Sequence, residues 1–219
     1  MPPDPYASER REMVEEQIRA RGIRNERVLA AMERVPRHLF VPENLRREAY
    51  ADHPLPIGDG QTISQPYIVA LMTDLRDPHA GDRILEIGAG SGYQAAILAE
   101  LGSTVITIER IPAVAARARR NLSAAESRPV EVVVGDGTLG YPAKAPYNGI
   151  LVTAATPGVP QPLIDQLADR GRLVAPVGPR GVQELIRIVR EGERIRQEGH
   201  GGVVFVPLIG EHGWREDEG

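Results

Sequence analysis

Near the middle of the chain, an apolar run ends in the sequence Leu85-Glu86-Ile87-Gly88-Ala89-Gly90-Ser91-Gly92-Tyr93. A strand that enters a glycine turn and continues as a helix is typical of nucleotide-binding proteins, because a ligand can approach the backbone at the helix N-terminus. The spacing Gly-x-Gly-x-Gly lacks the third glycine of the dinucleotide motif, whose place Tyr93 takes. Glu86 precedes the glycines, where a carboxylate would repel a pyrophosphate and attract an ammonium group. The pattern therefore favours S-adenosylmethionine over a dinucleotide.

Two acidic positions downstream of the glycine turn extend this interpretation. Glu109 ends the next apolar run about 20 residues further on, where a carboxylate can accept hydrogen bonds from both ribose hydroxyls. Asp136, in Gly135-Asp136-Gly137 after the third apolar run, could accept a hydrogen bond from an adenine amino group. Taken alone this tripeptide would more often be a plain turn, but its place after a third consecutive strand favours ligand binding. Together the three features predict an adenosine-containing ligand.

From Arg83 onward, short apolar runs alternate with helical patterns. The predicted strands are Arg83–Ile87, Val105–Ile108, Val130–Val134, Ile150–Thr153 and Leu173–Val177. The predicted helices are Tyr93–Glu100, Pro112–Ala125 and Pro162–Ala168. This alternation indicates a parallel sheet with right-handed crossovers. The tail differs, because three further segments follow at hairpin spacing and predict an antiparallel edge: Glu184–Arg190, Arg194–Glu198 and Val203–Leu208.

The N-terminal part of the chain reads as a helical cap. A helical pattern runs from Ser8 to Arg21, and a second helix begins after Asn25, a good N-cap residue. A proline-rich connector, 36–60, leads to Ser64, the predicted N-cap of a helix with Pro66 in its first turn. We therefore divide the chain into residues 1–80, a helical cap and substrate-positioning segment, and residues 81–219, the cofactor-binding core, within one integrated domain.

The composition excludes several classes of function. The chain has 219 residues, of which 42% are hydrophobic and 26% charged, as expected for a globular α/β protein. Its net charge of −4 gives no general positive field for nucleic acid or anionic lipid. The chain contains no cysteine, so disulfides, thiolate catalysis and sulfur-ligated metals are impossible. Five scattered histidines lack ligand spacing, so we predict no metal site.

The sequence also bears on location and assembly. Residues 1–11 contain no hydrophobic signal segment, and no apolar run reaches the roughly 18 residues of a membrane span. We therefore expect a cytoplasmic protein that contacts neither membrane nor nucleic acid, and we take a monomer as the default.

The most specific motif lies upstream of the glycine turn, in Gly60-Gln61-Thr62-Ile63-Ser64-Gln65-Pro66-Tyr67. With this motif the chain resembles the protein-L-isoaspartate (D-aspartate) O-methyltransferase family, from about Met13 to Trp214. Other matching segments are Leu85–Tyr93, Gly135–Gly140, Ile150–Ala155 with Pro157, Gly171–Gly178 and Phe205–Gly210. Generic methyltransferases share the glycine turn but not the Thr-Ile-Ser-x-Pro element or the tail. Three residues depart from the family pattern, each beside a predicted strand, and they bear on local loop geometry more than on activity: Asn148, Thr156 and Arg170.

The resemblance implies a fold and a reaction. The implied fold is a Rossmann-like class I S-adenosylmethionine-dependent methyltransferase sheet, mostly parallel with an antiparallel C-terminal edge, plus an N-terminal helical cap. The implied reaction transfers a methyl group to the free α-carboxylate of L-isoaspartyl residues, or to the side-chain carboxylate of D-aspartyl residues, in age-damaged proteins and peptides. S-adenosylhomocysteine is the product, and the methyl ester leads through a succinimide back toward normal aspartyl.

The resemblance also assigns roles to residues. Ser64 is expected to orient the substrate carboxylate with its hydroxyl, although a plain helix N-cap is the alternative. Val206 is expected to make a backbone contact with the isoaspartyl group, and a core valine in an edge strand is nearly as good an interpretation. We expect the cofactor to contact Ile63, Glu86, Gly88, Gly90, Ser91, Gly92, Glu109, Arg110, Asp136 and Gly137.

This chemistry needs few catalytic groups. A carboxylate is ionised at pH 7 and a sulfonium is a good leaving group, so positioning replaces general base catalysis. Three other functions fit the sequence less well. A methyltransferase acting on RNA or a small molecule would need a basic groove or an aromatic platform, and neither is evident. A nucleotide-sensing module without catalysis does not explain the Ser64 element, and a nicotinamide dehydrogenase does not fit the glycine spacing.

Overall fold

The structure, a computed structural model, describes residues 4–216. Its strands are β1 (Leu55–Gly58), β2 (Gln61–Ile63), β3 (Arg83–Ile87), β4 (Thr104–Glu109), β5 (Val130–Val134), β6 (Tyr147–Val152), β7 (Leu167–Val177), β8 (Gln183–Glu191) and β9 (Arg194–Val203). Its α-helices are α1 (Ala7–Glu12), α2 (Glu26–Arg34), α3 (Pro66–Arg76), α4 (Tyr93–Glu100), α5 (Pro112–Ala124) and α6 (Gln161–Asp165).

The central sheet has the strand order β5-β4-β3-β6-β7-β8-β9. The strands from β5 to β7 are parallel, whereas β8 and β9 pair antiparallel, which confirms the mixed sheet predicted from the sequence. From β3 the chain first builds outward through β4 and β5 and then returns to β6 on the other side. Open α/β sheets bind ligands at such a reversal, outside the carboxyl ends of the strands.

Helix α4 connects the sheet to the N-terminal cap. Its residues 93–99 are all buried, because the sheet covers one side and the cap covers the other. Met32 of α2 and Phe40 belong to the same hydrophobic cluster as Tyr93 and Ile97 of α4. Residues on both sides of position 80 therefore share one core.

The cap follows the predicted helices with local differences. α1 continues into a π-helix at Met13–Ile18 and a 3₁₀ turn at Arg19–Arg21, where the sequence predicted one helix. Asn25 caps α2 as predicted, since its side chain accepts a hydrogen bond from the Arg27 amide. The connector at 36–60 contains two 3₁₀ turns, and its last residues form β1 and the turn that leads into β2, its hairpin partner.

The prediction that Ser64 caps α3 is wrong. The helix begins at Pro66, and Gln65 is its N-cap, with no side-chain capping bond. The reason is steric: a residue before proline is pushed into extended backbone, so the cap falls at Gln65 and Ser64 lies one residue outside the helix. Its hydroxyl is therefore not committed to capping.

Two predictions at the C-terminal end are also wrong. The segment Val203–Leu208 is not a separate strand, because β9 runs through the expected glycine turn to Val203 and residues 204–208 then leave β8, keeping only an isolated bridge between Pro207 and Ala155. A register irregularity between β8 and β9 accommodates the glycines, and Pro207 lacks the N–H that a strand would need. The helix predicted to end at Ala168 ends at Asp165, since β7 begins two residues later.

The three residues that depart from the family pattern lie in different local environments. Asn148 accepts a hydrogen bond from the Arg83 amide at the start of β3, 2.9 Å away. Thr156 is buried and donates to the Gly158 carbonyl. Arg170 is an exposed residue of β7 with a positive φ of 60°. Within residues 4–216, no helix is long and apolar enough to cross a membrane.

Candidate active site

The glycine loop, residues 88–92, lies between the end of β3 and the start of α4, at the reversal of the sheet. The amides of Gly88 and Ala89 donate to the Ile108 carbonyl, at 2.8 and 3.2 Å, which fixes the loop against β4. Gly88 has a φ of 97°, and a Cβ there would lie 2.5 Å from the Thr153 hydroxyl. That hydroxyl donates to the carbonyls of Ile87 and Gly88. Glycine is thus required where β3 and β6 approach each other.

Glu109 closes one side of this loop. Its two carboxylate oxygens accept hydrogen bonds from the amides of Gly90 and Ile111, at 3.1 and 3.0 Å. The side chain is buried at the end of β4 and lines the space next to the glycine loop. A carboxylate oxygen has two lone pairs, so both oxygens can also accept from ligand hydroxyls.

Glu86 is the least satisfied polar group of the region. It is fully buried on β3, where its carboxyl oxygens make no hydrogen bond of good geometry within residues 4–216 and the buried Thr107 hydroxyl of β4 is its one polar neighbour that lowers the pKa. Burial raises the pKa of Glu86 to about 8, and the nearby charge of Glu109 adds to the rise. At pH 7 the free protein therefore holds Glu86 mainly as the neutral acid, and a cationic ligand group such as an ammonium would stabilise its ionised form.

We use the name glycine-loop cleft for the concave surface at the carboxyl ends of β3 and β4. Its inner part is lined by eight of the predicted site residues: Ile63, Ser64, Glu86, Gly88, Gly90, Ser91, Glu109 and Val206. Gly88 and Glu109 also line its outer part, together with two further predicted residues, Arg110 and Gly137. The structure therefore brings together most of the residues that the sequence suggested.

Two predicted cofactor residues do not line the cleft. Gly92 is the N-cap of α4, and a Cβ there would lie 3.2 Å from Leu122 of α5, so it serves helix packing. The Asp136 carboxylate accepts from the amide and hydroxyl of Thr138 and from the Glu211 amide. Asp136 thereby ties the C-terminal segment to the turn after β5, and its contact with adenine stays a prediction.

A second concavity, the apolar cavity, adjoins the glycine-loop cleft and has a volume of about 630 Å³. Its wall is mainly apolar and comes from the connector, α3 and the chain around β8 and β9: Pro54, Ile68, Val182, Val203, Val204 and Phe205. The two concavities share four residues, which mark the place where their contents would meet: Thr62, Ser64, Thr153 and Val206.

Ser64 lies at this junction with its hydroxyl free. Within residues 4–216 the hydroxyl makes no hydrogen bond, whereas the Ser64 carbonyl accepts one from Arg37 Nη2 at 2.7 Å. Val206 is similar, because its carbonyl accepts from the Ala155 amide at 2.7 Å while its own N–H has no acceptor in the described chain. A hydroxyl and an amide donor thus remain available at the junction.

The sequence did not reveal the role of Arg37, whose side chain donates a hydrogen bond to the Ser64 carbonyl. Its guanidinium is fully buried, donates from Nε to the Ala49 carbonyl at 2.6 Å and lies 4.9 Å from the centre of the Tyr93 ring. Burial lowers the pKa of Arg37 to about 10. An arginine in an aperiodic connector reads as a surface residue, so no local signal marks it.

Thr153 was also missed, although its position at the carboxyl end of β6 was the available signal. Its hydroxyl holds the glycine loop, and its side chain faces both concavities. In residues 4–216 there is no group of three or more His, Cys, Asp or Glu side chains that could hold a metal ion.

Comparison with known proteins places this chain in a family. A family model for protein-L-isoaspartate(D-aspartate) O-methyltransferase matches residues 8–213. The chain is 63% identical over 215 residues to a protein-L-isoaspartate O-methyltransferase of Methanoculleus marisnigri, covering 98% of each chain. It is 64% identical over 212 residues to the protein of the same name in Methanoregula boonei, covering 97% of this chain and 98% of the other.

Solved structures agree on the fold. A protein-L-isoaspartate O-methyltransferase superposes with a TM-score of 0.82 at 27% identity, over 93% of this chain and 67% of the other. A Plasmodium falciparum protein assigned to the same activity, solved in complex with S-adenosyl-L-homocysteine, has a TM-score of 0.80 at 24% identity, over 91% and 98% of the two chains. The predicted Rossmann-like methyltransferase fold is confirmed. By family model and by identity over nearly its whole length, the chain belongs to the protein-L-isoaspartate(D-aspartate) O-methyltransferase family.

Proposed function

We propose that the protein methylates the free α-carboxylate of L-isoaspartyl residues, and the side-chain carboxylate of D-aspartyl residues, in damaged proteins and peptides, with S-adenosylmethionine as donor. The observation that carries this proposal is the free Ser64 hydroxyl at the junction of the glycine-loop cleft and the apolar cavity. A donor at that point can hold a carboxylate that enters from the cavity and faces the cleft.

The residues of the glycine-loop cleft fit the cofactor. Glu86 offers a buried carboxyl group that an ammonium group would hold in its ionised form, and Glu109 offers carboxylate oxygens to ribose hydroxyls. When bound, S-adenosylmethionine supplies a sulfonium methyl group, whose transfer breaks the carbon–sulfur bond and leaves a neutral thioether. The remaining predicted contacts, including Ile63, Arg110 and Asp136, are part of this proposal.

On the substrate side, the chain positions an anion that is already ionised. We assign the Ser64 hydroxyl and the Val206 amide as donors that orient the carboxylate oxygen, because both lie at the junction and neither has an internal partner. No general base is needed, since the carboxylate pKa is near 4. The rate gain then comes from holding the oxygen in line with the methyl group and excluding water.

The product is a methyl ester, which the neighbouring amide nitrogen attacks more readily than it attacks a carboxylate. Methanol leaves, a succinimide forms, and hydrolysis returns part of the material to normal aspartyl. A cytoplasmic location, a monomeric state and the absence of nucleic-acid binding remain predictions from the sequence.

The test is methyl transfer from radiolabelled S-adenosylmethionine to matched peptides that contain isoaspartate or aspartate at one position. We expect base-labile label on the isoaspartyl peptide alone. Absence of transfer to that peptide, or equal labelling of both peptides, would overturn the proposal.

A further inference from the structure

The two most exposed of the large hydrophobic side chains in residues 4–216 lie at one place. Val204 is 74% exposed and Val182 is 64% exposed, and both line the apolar cavity. They come from different segments, since Val182 precedes β8 and Val204 follows β9. Exposed apolar groups that gather at the mouth of a cavity mark a binding surface more strongly than the same groups scattered singly.

Away from the junction with the glycine-loop cleft, where Ser64 and Val206 lie, the cavity wall offers no partner to a charged group. Behind the two valines lie Ile68, Phe205 and Pro54, and the polar lining consists of hydroxyl, amide and backbone groups. No Asp, Glu, Lys, Arg or His is among the described residues that line it. A charged side chain placed there would lose water without gaining a partner, whereas an apolar one would be removed from water together with the valines.

The mouth of the cavity is held in shape by Gln183. This residue is 2% exposed, donates from Nε2 to the Pro179 carbonyl at 2.8 Å and accepts at Oε1 from the Phe205 amide at 3.0 Å. It therefore links the turn that carries Val182 to the segment that carries Val204. A surface that is already ordered loses little entropy on binding.

The cavity also lies where the substrate must pass. It shares Ser64 and Val206 with the glycine-loop cleft, and these are the proposed donors to the reacting carboxylate. The residue before the isoaspartyl group is joined to it by an ordinary peptide bond, about 3.8 Å between consecutive Cα atoms, and the residue after it is joined through the β-carboxyl, which adds one methylene to the backbone. The side chain of either residue therefore reaches the wall formed by Val182 and Val204.

We propose that this cavity binds a large apolar side chain next to the isoaspartyl residue, so that the enzyme favours damaged sites flanked by leucine, isoleucine, valine or phenylalanine over sites flanked by charged residues. This inference rests on the proposed function and specifies its substrate class. Val182 and Val204 are the specificity-determining residues, and they act on peptide binding rather than on methyl transfer.

The experiment measures kcat/KM for isoaspartyl peptides that differ only in the residue before or after the isoaspartyl group, which is leucine, serine or glutamate. For the wild-type protein we expect leucine to exceed serine by about tenfold at one of the two positions, as for the burial of a few methyl groups in an apolar pocket. Glutamate should be the poorest at that position.

The double variant V182S/V204S should reduce the leucine-to-serine ratio to threefold or less. The ratio is compared within each protein, so a general loss of activity does not affect it, and thermal unfolding verifies that the variant is folded. I195S is the matched control, because Ile195 is 43% exposed on β9 but does not line the cavity. The control should retain the wild-type ratio.

Two results would overturn the inference while the proposed function stands. One is equal kcat/KM for the three peptides at both positions. The other is a leucine preference that survives in V182S/V204S. Failure to methylate any isoaspartyl peptide would instead overturn the proposed function and this inference with it.

Discussion

The two halves of the site are built differently. The glycine-loop cleft is formed by the ends of adjacent strands, with Glu86 on β3 and Glu109 on β4 beside the glycines. The wall of the apolar cavity comes from segments more than 100 residues apart in the chain, at Thr62–Gln65 and Gly202–Val206. The first half depends on the sheet, whereas the second depends on buried polar side chains, Arg37 and Gln183, that hold loops in place. Variants that affect only one half should separate cofactor binding from peptide binding.

The largest effect should follow from R37M. The Ser64 and Ala49 carbonyls lose their buried donor, which lowers the free energy of unfolding by about 3 kcal/mol. The Ser64 loop then shifts, and a displacement of this kind costs about 100-fold in kcat/KM for an isoaspartyl peptide. Steady-state kinetics and denaturant unfolding measure the two effects.

R34M is the control for this prediction. Arg34 is an exposed residue of α2 that pairs with Glu100 at the surface, so its loss should change the unfolding free energy by about 0.5 kcal/mol or less. If R37M lowered affinity for S-adenosylmethionine as much as kcat/KM for the peptide, Arg37 would not belong to the substrate side.

The second effect concerns the cofactor side. E86Q keeps the size of the side chain and removes its charge, so the Kd for S-adenosylmethionine should rise about 30-fold, as for the loss of one charged hydrogen bond. Calorimetric titration measures this Kd. E131Q is the control, since Glu131 is exposed on β5, and its Kd should equal that of the wild type. A Kd within twofold of wild type in E86Q would remove Glu86 from the cofactor site.

The same residue predicts a pH dependence for the free protein. The pKa of Glu86 is raised to about 8 in the folded state, above its ordinary value of 4.5. The folded state therefore binds the proton more tightly than the unfolded chain, and stability that is present below pH 4.5 is lost as the pH rises through about 8. From pH 5 to pH 8 the Tm of the wild type should therefore fall relative to that of E86Q, because E86Q has no carboxyl group to titrate. A constant difference would contradict the raised pKa.

The smallest effect is expected at Asp136, where the predicted contact with adenine can be separated from the observed hydrogen bonds to Thr138 and Glu211. If Asp136 accepts from the adenine amino group, D136N should weaken S-adenosylhomocysteine binding about fivefold and leave an analogue with hypoxanthine in place of adenine unaffected. T138V removes the hydroxyl that donates to Asp136, and it is the control for the hydrogen bonds within the protein. Equal weakening for both ligands would show that Asp136 serves only the hydrogen bonds to Thr138 and Glu211.

The sequence predicted the cofactor side better than the substrate side for a physical reason. The bounds of β3, β5 and α4 match the prediction because apolar runs there end at glycine or proline. The positions of the glycine loop and of Glu109 can be predicted from these local sequence signals. Arg37, Thr153 and Gln183 each have a hydrogen-bond partner 22 to 66 residues away along the chain, and no pattern within a short sequence window reports those contacts.

The same distinction explains the corrected elements. Ser64 looked like an N-cap because its residue type fits, but the geometry before Pro66 moved the cap to Gln65. The glycines near 199–202 looked like a turn, yet pairing with β8 keeps them in β9. In both places a neighbour in space or a steric constraint overrode residue preference.

The most direct test of the account is the variant S64A, assayed for peptide turnover and cofactor affinity together. Because the hydroxyl has no internal partner, we predict unchanged unfolding, a Kd for S-adenosylmethionine within twofold of wild type and kcat/KM for an isoaspartyl peptide lowered about 30-fold. S123A, an exposed serine on α5, should behave as wild type in all three measurements. Unchanged turnover in S64A would contradict the assignment of the junction as the place where the carboxylate is held.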